Sequence, residues 1–432
     1  MTVTSRHTDL PRGFSDADST RTAALRRVEH RWFEKCALAG FRAVEVPPVG
    51  FADTFTTGHY ASGDRIYRFP DRRGRELALV SDSLPALLRF AGTHRLPEQR
   101  LSYRCPVFRY ERKPRRYFHH LGLMELTRPT IEQANQISAL RRLISTVTAF
   151  LPSSLAADFT ISNPAIWFDL VRMFVRPEQV GDYVDRLRRV PVDERQAMLV
   201  ADNAPPAAVA VADLLAQRRP HDDTTTVPEP IRSGIDCARQ LVEQLRRQRI
   251  RADTDLNELH ASEFHDGLAF VVRHNGVVLG DGGNYSSFAS KFLGFPTSAY
   301  AAVTGLERIT DLTDSSAEPV RAADLAILSF PDHLSTEHAH HLVANLRGRG
   351  IAVWDCELTL PLRRHLRDFA DLNIPLSVLI GPEEIKSAEY RVRDRSGEVC
   401  RVPHDELADW IMDWNRSSQA SAARQARGDI RL

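Results

Sequence analysis

Two apolar segments separated by a short basic loop constrain the fold of this chain more than any other feature. Residues 101–111 and 118–126 contain many aromatic and aliphatic side chains, which favour β-strands. The loop between them, residues 112–116, contains a proline and four basic residues. A connection this short returns the second strand beside the first, so the pair predicts an antiparallel hairpin. The sheet that contains the hairpin is therefore at least partly antiparallel.

The rest of the sequence divides into regions that differ in composition and in hydrophobic periodicity. Strand and helix signals fill residues 1–162 and 252–314, which we assign to one α+β core. Residues 163–251 are charged and helical in period, so they predict a mostly helical insertion. Residues 320–414 alternate strand and helix signals, which predicts a small α/β domain with a mostly parallel sheet. Residues 415–432 contain few apolar side chains and are predicted to be disordered.

One short run in the core is rich in glycine. It reads Gly-Asp-Gly-Gly at residues 280–283 and follows a predicted strand at residues 276–279. Glycine is typical of turns because it tolerates positive φ, so the run predicts a turn that ends this strand.

Composition and charge indicate a soluble protein of the cytoplasm with no membrane contact. With 43% hydrophobic and 26% charged residues, the chain has the balance of an ordinary globular protein. Its formal net charge of +1 gives no overall field that would attract nucleic acid or a membrane surface. The N-terminus has no apolar signal region, and no apolar run is long enough to span a bilayer. The five cysteines form no C-x-x-C pair, which argues against a zinc site or a disulfide framework: Cys36, Cys105, Cys237, Cys356 and Cys400.

Arg109 and Arg308 each stand in a short segment that also contains a glutamate. Residues 108–112 read Phe-Arg-Tyr-Glu-Arg, and residues 305–308 read Gly-Leu-Glu-Arg. A guanidinium keeps its charge and meets phosphate oxygens through a planar fork. If the fold brings the two arginines together, they can hold a triphosphate from both ends. The alternative is that each arginine forms a structural ion pair.

Five segments, in this order, resemble the class II aminoacyl-tRNA synthetases, and histidyl-tRNA synthetases in particular. Residues 11–13 resemble the opening Arg-Gly signature, and residues 40–47 resemble motif 1, which builds the family's dimer interface. Residues 100–122 resemble motif 2, and residues 304–308 resemble motif 3. Residues 320–414 resemble the anticodon-binding domain. The resemblance implies a six-stranded antiparallel sheet flanked by helices, in a homodimer that uses ATP and Mg2+.

The resemblance also implies roles for individual residues. Arg109 would hold the α-phosphate of ATP, and Arg308 would hold the γ-phosphate. Glu111 would accept a hydrogen bond from the adenine amino group, and Gly305 would let the backbone approach the adenine. The substrate's own carboxylate attacks ATP, so no protein nucleophile is needed. The residues expected to bind ATP are Arg109, Glu111, Arg112, Phe118, Gly305 and Arg308, and those expected to act in catalysis are Arg109, Arg308 and His260.

The amino-acid half of the site departs from the pattern of histidyl enzymes. Asp82 stands near the position of a substrate-binding glutamate, and it could meet an α-ammonium group with a shorter reach. His260 matches the family's catalytic arginine, so a fixed charge is lost there. Met124 matches the pocket glutamate that follows motif 2. The residues expected to bind the amino acid are Asp82, His120, Met124, Glu263, Phe264, His265, Asn284 and Tyr285.

Three functions stay open from the sequence. The first is a ligase, a histidyl-tRNA-synthetase-like paralogue that forms an aminoacyl-adenylate and transfers the acyl group to tRNA or another acceptor. The second is a regulatory subunit of ATP phosphoribosyltransferase that senses histidine, because residues 255–267 are similar to that paralogue. The third is an ordinary histidyl-tRNA synthetase. Transfer RNA would bind through the C-terminal domain and the basic loop, although the loop could equally be a solvated surface.

Overall fold

The structure is a computed structural model, which describes residues 9–56, 65–94, 99–110, 115–129, 133–216, 227–259, 265, 267–313 and 321–428. The chain divides into two compact units, Met1–Ser315 and Ser316–Leu432. The strands of the first unit are β1 (Arg42–Val44), β2 (Val49–Phe51), β3 (Arg68–Pro70), β4 (Glu76–Leu79), β5 (Gln99–Phe108), β6 (Tyr117–Thr127), β7 (Asp158–Ser162), β8 (Ala252–Thr254), β9 (Ala269–His274), β10 (Val277–Asn284) and β11 (Ser298–Gly305). Its helices are α1 (Ser19–Leu38), α2 (Ala52–Thr56), α3 (Ser83–His94), α4 (Gln133–Phe150), α5 (Ala165–Arg172), α6 (Val180–Arg189), α7 (Val192–Ala201), α8 (Pro206–Ala216), α9 (Glu229–Arg247), α10 (Ser286–Leu293) and α11 (Leu306–Thr313).

An eight-stranded sheet in the order β1-β5-β6-β11-β10-β9-β7-β8 forms the centre of the first unit. Its six inner strands pair with one another antiparallel, which confirms the expected six-stranded antiparallel sheet. The edge strands β1 and β8 are added in parallel to β5 and β7. The predicted hairpin is β5 and β6, which pair along their whole length. The strands β2, β4 and β3 form a separate small sheet.

The eight-stranded sheet separates two hydrophobic layers. Side chains alternate along β6, so Leu121 and Leu123 face one layer while Met124 and Leu126 face the other. The first layer packs α1, α4 and α9 against the sheet, and the second packs α3 and α10. Both layers are continuous apolar clusters, which hold the six inner strands in register.

The five helices α5 to α9 fill residues 163–251, the segment expected to be helical. Trp167 on α5 is fully buried, and its Nε1 donates a hydrogen bond to the carbonyl oxygen of Leu256 at 2.7 Å. Arg195 on α7 is also buried, and its guanidinium donates to the carbonyl oxygens of Leu187 and Asn257, both at 2.9 Å. A buried guanidinium needs such acceptors. These bonds fix the helices to the segment that leads into β9.

The second unit contains a five-stranded sheet in the order β13-β12-β14-β15-β16. Pairs β12–β13 and β12–β14 are parallel, whereas β14–β15 and β15–β16 are antiparallel, as expected for a small α/β domain. Its elements are β12 (Leu325–Ser329), α12 (His333–Gly348), β13 (Val353–Glu357), α13 (Leu362–Asp371), β14 (Leu376–Ile380), α14 (Pro382–Ser387), β15 (Glu389–Asp394), β16 (Val399–Pro403) and α15 (Leu407–Gly428).

The last helix differs from the sequence prediction. The sequence predicts that it ends at Trp414 and that a disordered tail begins at residue 415, but α15 continues to Gly428. The reason lies in the composition of the tail, because alanine, glutamine and arginine are good helix formers. In the part of the chain that the structure describes, no helix is long and apolar enough to cross a membrane.

Candidate active site

One cavity of about 570 Å³ opens on the face of the sheet that also carries the second hydrophobic layer. The pairing of β6 with β11 sets His120 directly opposite Gly305, so the segment of Arg109 and the segment of Arg308 meet there. Glu111 and Arg112 lie outside the described residues. The cavity is lined by Arg109, Arg115, Phe118, His120, Val278, Leu279, Gly280, Asp281, Val303, Thr304, Gly305, Glu307 and Arg308.

Arg109 follows directly on β5 and is held by the loop before α3. Its Nε donates to the carbonyl oxygen of Ser81 at 2.9 Å, and its Nη2 donates to Asp82 Oδ2 at 2.6 Å. The guanidinium carbon also lies 5.6 Å from the centre of the Phe118 ring, a cation–π distance. A guanidinium has five N–H donors, so donors remain for a phosphate. The protein thus positions this charge before any ligand binds.

Asp82 is engaged by the protein itself. One oxygen pairs with Arg109, and the other accepts a hydrogen bond from the backbone N–H of Leu84 at 3.0 Å, at the start of α3. An aspartate is well suited to this position because a helix begins with backbone N–H groups that have no partner within the helix. That Asp82 binds the substrate stays a prediction; in the structure its carboxylate holds the guanidinium of Arg109.

Glu307, just before Arg308, clamps α11 to the start of β6. Its carboxylate accepts hydrogen bonds from the backbone N–H of His119 at 2.9 Å and from His119 Nδ1 at 2.7 Å. Burial alone would raise the pKa of Glu307, but the hydrogen bonds from His119 outweigh burial and hold the pKa below its ordinary value. Arg308 donates to the carbonyl oxygen of Val278 on β10. These contacts fix the relative positions of Arg109 and Arg308.

The clamp predicts a pH-dependent loss of stability. The folded pKa of Glu307 is lowered from its ordinary value of 4.5, so the stabilisation is complete above that pH and is lost as the pH falls through the folded pKa. We expect the free energy of unfolding of Glu307→Gln to be below that of the wild type at pH 7, with the gap narrowing below about pH 4.5. Urea unfolding at several pH values measures this gap. The exposed-residue control Glu243→Gln should show little change, and a gap that widens in acid would contradict the clamp.

A chain of hydrogen bonds stands behind the cavity. His120 Nδ1 lies 3.0 Å from Ser83 Oγ, which lies 3.1 Å from the hydroxyl of the fully buried Tyr103. Burial lowers the pKa of His120 to about 4, despite the opposing charge of Asp82. The imidazole is therefore neutral at pH 7. Gly122, next on this face of β6, leaves room for the ring of Tyr103, which a Cβ at this position would overlap.

Apart from Asp82, the described residues of the predicted amino-acid set fall in four places. His120 lines the cavity, whereas Met124 is fully buried in the second hydrophobic layer. His265 packs on Tyr285 with ring centres 4.5 Å apart. Asn284 Oδ1 accepts hydrogen bonds from the backbone N–H and the hydroxyl of Ser286, at 3.0 and 2.5 Å, where α10 begins. Glu263 and Phe264, the remaining members of this set, lie outside the described residues, as does His260, which was expected to act in catalysis.

The glycine-rich run at residues 280–283 is not a turn. It lies inside β10 and pairs with β11 on one side and β9 on the other. A Cβ on Gly280 would overlap the carbonyl oxygen of Val303, and one on Gly282 would overlap the ring of Phe270. The glycines thus serve close packing rather than chain reversal. This arrangement places Asp281 on the cavity wall. The prediction of a turn gave no reason to expect a cavity residue there.

Comparisons with known proteins identify the family of the chain. The family model "Histidyl-tRNA synthetase" matches residues 13–309, and the model "Anticodon binding domain" matches residues 324–414. The chain belongs to the histidyl-tRNA synthetase family. It is 24% identical to a histidine–tRNA ligase of Aquifex aeolicus, across 92% of this chain and 98% of that protein.

A second class of relative matches more closely over a shorter stretch. The chain is 38% identical to an ATP phosphoribosyltransferase regulatory subunit of Moorella thermoacetica over 122 residues, which cover 26% of this chain and 31% of that protein.

Solved structures share the fold of this family member. A histidyl-tRNA synthetase from Nostoc sp. PCC 7120 superposes with a TM-score of 0.74 at 17% identity, covering 94% of this chain and 99% of that one. A protein from Bacillus halodurans described as an ATP phosphoribosyltransferase regulatory subunit/histidyl-tRNA synthetase superposes with a TM-score of 0.69 at 18% identity, covering 84% and 96%. At these identities the likeness shows the fold alone.

Proposed function

We propose that this protein activates an amino acid with ATP, forming an aminoacyl-adenylate and pyrophosphate, and then transfers the acyl group to tRNA or another acceptor. The observation that supports this most is that Arg109, Phe118, Gly305 and Arg308 line one cavity. All four were expected to bind ATP, and they come from segments about two hundred residues apart in the sequence.

The proposed chemistry needs positioning and charge rather than a protein nucleophile. The substrate carboxylate attacks the α-phosphate, and negative charge builds up on the phosphate oxygens. A guanidinium fixed in advance stabilises that charge without having to reorganise during the reaction. Arg109 is fixed in this way by Ser81 and Asp82. Arg308 would hold the far end of the triphosphate, which aligns pyrophosphate as the leaving group.

Magnesium would enter this site with the nucleotide. Among the residues that the structure describes, no three histidine, cysteine or acidic side chains gather as a metal-binding group. Mg2+ commonly binds to substrate phosphates and keeps several water ligands, so such a site suits it without a protein cage. When bound, the ion would neutralise part of the charge on the phosphates.

The substrate is proposed to differ from that of the ordinary histidyl enzymes. The histidyl-tRNA synthetases that the chain resembles have a glutamate where this chain has Met124. Met124 is buried in the second hydrophobic layer. Asp82, at the other expected contact, pairs with Arg109. Both differences take away acidic contacts that a histidine substrate would use. His260, which stands where the family has an arginine, supplies no fixed positive charge.

ATP–pyrophosphate exchange tests the proposal. The purified chain is incubated with ATP, Mg2+ and labelled pyrophosphate, and each of the twenty amino acids is added separately. Exchange that depends on one amino acid and on Mg2+ is expected. Absence of exchange with all twenty, in protein shown to be folded, would contradict the proposal.

A regulatory role is a second candidate, favoured by one observation. The 38% identity to an ATP phosphoribosyltransferase regulatory subunit exceeds the 24% identity to the Aquifex aeolicus ligase, although it spans only 122 residues. In this case the chain would bind histidine or a related ligand and control a phosphoribosyltransferase. Co-purification with such a catalytic subunit and histidine-dependent inhibition of it would support this role. An ordinary histidine–tRNA ligase is the third candidate, and rescue of a strain depleted of that enzyme would support it.

A further inference from the structure

Three buried polar side chains form a hydrogen-bonded series that ends at the cavity. Tyr103, Ser83 and His120 are only 1%, 2% and 8% exposed. The Tyr103 hydroxyl lies 3.1 Å from Ser83 Oγ, which lies 3.0 Å from His120 Nδ1. In the part of the protein that the structure describes, neither hydroxyl has another hydrogen-bond partner. Each hydroxyl proton must therefore find its acceptor within the series.

The protons of the two hydroxyls fix the direction of this series. A hydroxyl donates one hydrogen bond, and its oxygen can accept two. If Tyr103 donates to Ser83 and Ser83 donates to His120 Nδ1, both protons have acceptors. If the direction is reversed, the proton of Tyr103 has no acceptor, and if Ser83 accepts from both neighbours, its own proton has none. A buried donor without an acceptor costs free energy, so the series runs from Tyr103 to His120.

The direction of the series determines the tautomer of His120. A neutral imidazole has one protonated nitrogen and one bare nitrogen. Because Nδ1 accepts from Ser83, the single ring proton stands on Nε2. Burial lowers the pKa of His120 to about 4, so the ring does not gain a second proton at pH 7. At that pH His120 offers one uncharged N–H donor.

The Nε2–H of His120 opens into the cavity. His120 lines the cavity, and the described residues offer its Nε2 no hydrogen-bond partner. Among those residues, the buried polar atoms that lack a partner do not include this nitrogen, so solvent in the cavity reaches it. The ring centre of Phe118 lies 5.4 Å from that of His120 and 5.6 Å from the guanidinium carbon of Arg109. The N–H and the guanidinium are therefore two donors on the same part of the wall.

A donor at this place selects for an oxygen atom and against an ammonium group. An ammonium group donates three hydrogen bonds and accepts none, so it cannot pair with an N–H. Carboxylate and phosphate oxygens do accept from an N–H, and the bond is stronger when the oxygen is charged. Because His120 is uncharged, it can share such an oxygen with Arg109 without charge repulsion between the two side chains.

We propose that His120 donates a hydrogen bond from Nε2 to an anionic oxygen of the bound reactants, and that Ser83 and Tyr103 hold the ring proton on that nitrogen. The oxygen belongs to the carboxylate of the amino acid or to a phosphate of ATP, and binding measurements distinguish the two. This inference rests on the proposed function and adds to it a donor that is fixed before the reactants bind. Such a donor needs no reorganisation when charge develops on the oxygen.

Nuclear magnetic resonance of protein that contains isotope-labelled histidine tests the tautomer without any turnover. The ring signals of His120 are identified by their loss in the variant His120→Gln. We expect a proton on Nε2 and a bare Nδ1 at pH 7, and a proton on Nδ1 would overturn the inference. In Ser83→Ala the Nδ1 signal should shift, because its hydrogen bond is lost. An unchanged Nδ1 signal would show that Ser83 and Tyr103 do not hold the ring proton.

Calorimetric titration identifies the oxygen. Wild type, His120→Leu and His120→Gln are titrated with a non-hydrolysable ATP analogue, and with each of the twenty amino acids in its presence. We expect His120→Leu to bind one of the two reactants about 10- to 100-fold more weakly, since a hydrogen bond to a charged group is lost. A weaker amino acid assigns the carboxylate, and a weaker ATP analogue assigns a phosphate. The amide of His120→Gln can still donate, so it should restore part of the affinity.

The control variant is His94→Leu, whose side chain is exposed on α3 and which should match the wild type in both affinities. Equal affinities of folded wild type and His120→Leu for both reactants would overturn the inference. If the wild type has the Nε2 proton and His120→Leu binds more weakly, but no pyrophosphate exchange occurs, the inference stands and only the proposed reaction is wrong. Folded wild-type protein that binds neither reactant would overturn both.

Discussion

Replacing Arg109 with alanine is expected to lower the rate of amino-acid-dependent pyrophosphate exchange about 10²- to 10³-fold. The guanidinium is fixed by Ser81 and Asp82 on the cavity wall, where the proposed reaction would develop charge on the α-phosphate. Its removal takes away a stabilising charge that is already in place, and it leaves Asp82 as a negative charge close to a polyanionic ligand. The loss should appear mainly in kcat, because the interaction strengthens in the transition state.

Two further variants make this result specific. Arg109→Lys keeps a positive charge but not the planar fork, so it should recover only part of the activity. Arg246→Ala removes an exposed arginine that pairs with Asp253 on the surface, and it should leave exchange unchanged. If exchange by Arg109→Ala equals that of the wild type, Arg109 does not hold the reacting phosphate.

Replacing Gly122 with alanine is expected to lower the free energy of unfolding by about 3 kcal/mol. The added methyl group would overlap the ring of Tyr103, which is fully buried and joined through Ser83 to His120. The ring cannot move aside without leaving the second hydrophobic layer, so overpacking must shift the sheet itself. Urea unfolding monitored by circular dichroism measures the loss.

A second glycine provides the matched comparison. Gly181 lies on α6 with open space where a Cβ would stand, so Gly181→Ala should stabilise the protein slightly, by about 0.5–1 kcal/mol. Combining Gly122→Ala with Tyr103→Leu removes the overlapping ring atoms and should recover part of the loss. Equal stability of Gly122→Ala and the wild type would show that the contact between Gly122 and Tyr103 is not tight.

The sequence predicts the centre of the fold well because its strongest signals are local. The hairpin of β5 and β6 follows from two long apolar runs and a short loop. The short strands β7 and β8 cannot be predicted from the sequence, because five and three residues are too few to show a pattern. They are defined by their pairing in the sheet, where β7 pairs with both β8 and β9. The extension of α15 is missed because a low apolar content predicts disorder, whereas helix propensity favours a helix.

The candidate site, too, is only partly predictable from the sequence. Arg109 and Arg308 are predictable because each stands in a short motif, and the sheet brings the motifs together. The partners that fix them are not predictable, since the Asp82–Arg109 pair and the Glu307–His119 clamp join residues 27 and 188 positions apart. Asp281 is missed for a different reason. Its glycine neighbours suggest a turn, and only the strands on both sides explain why they are glycines.

The most direct test of the central claim is to identify the product. Purified protein is incubated with ATP, Mg2+, inorganic pyrophosphatase and a mixture of the twenty amino acids, and the bound nucleotides are analysed by mass spectrometry. The account predicts an aminoacyl-adenylate of a single mass, which names the substrate, and its absence from the Arg109→Ala variant. Recovery of ATP alone from folded wild-type protein would contradict amino-acid activation and favour the regulatory role.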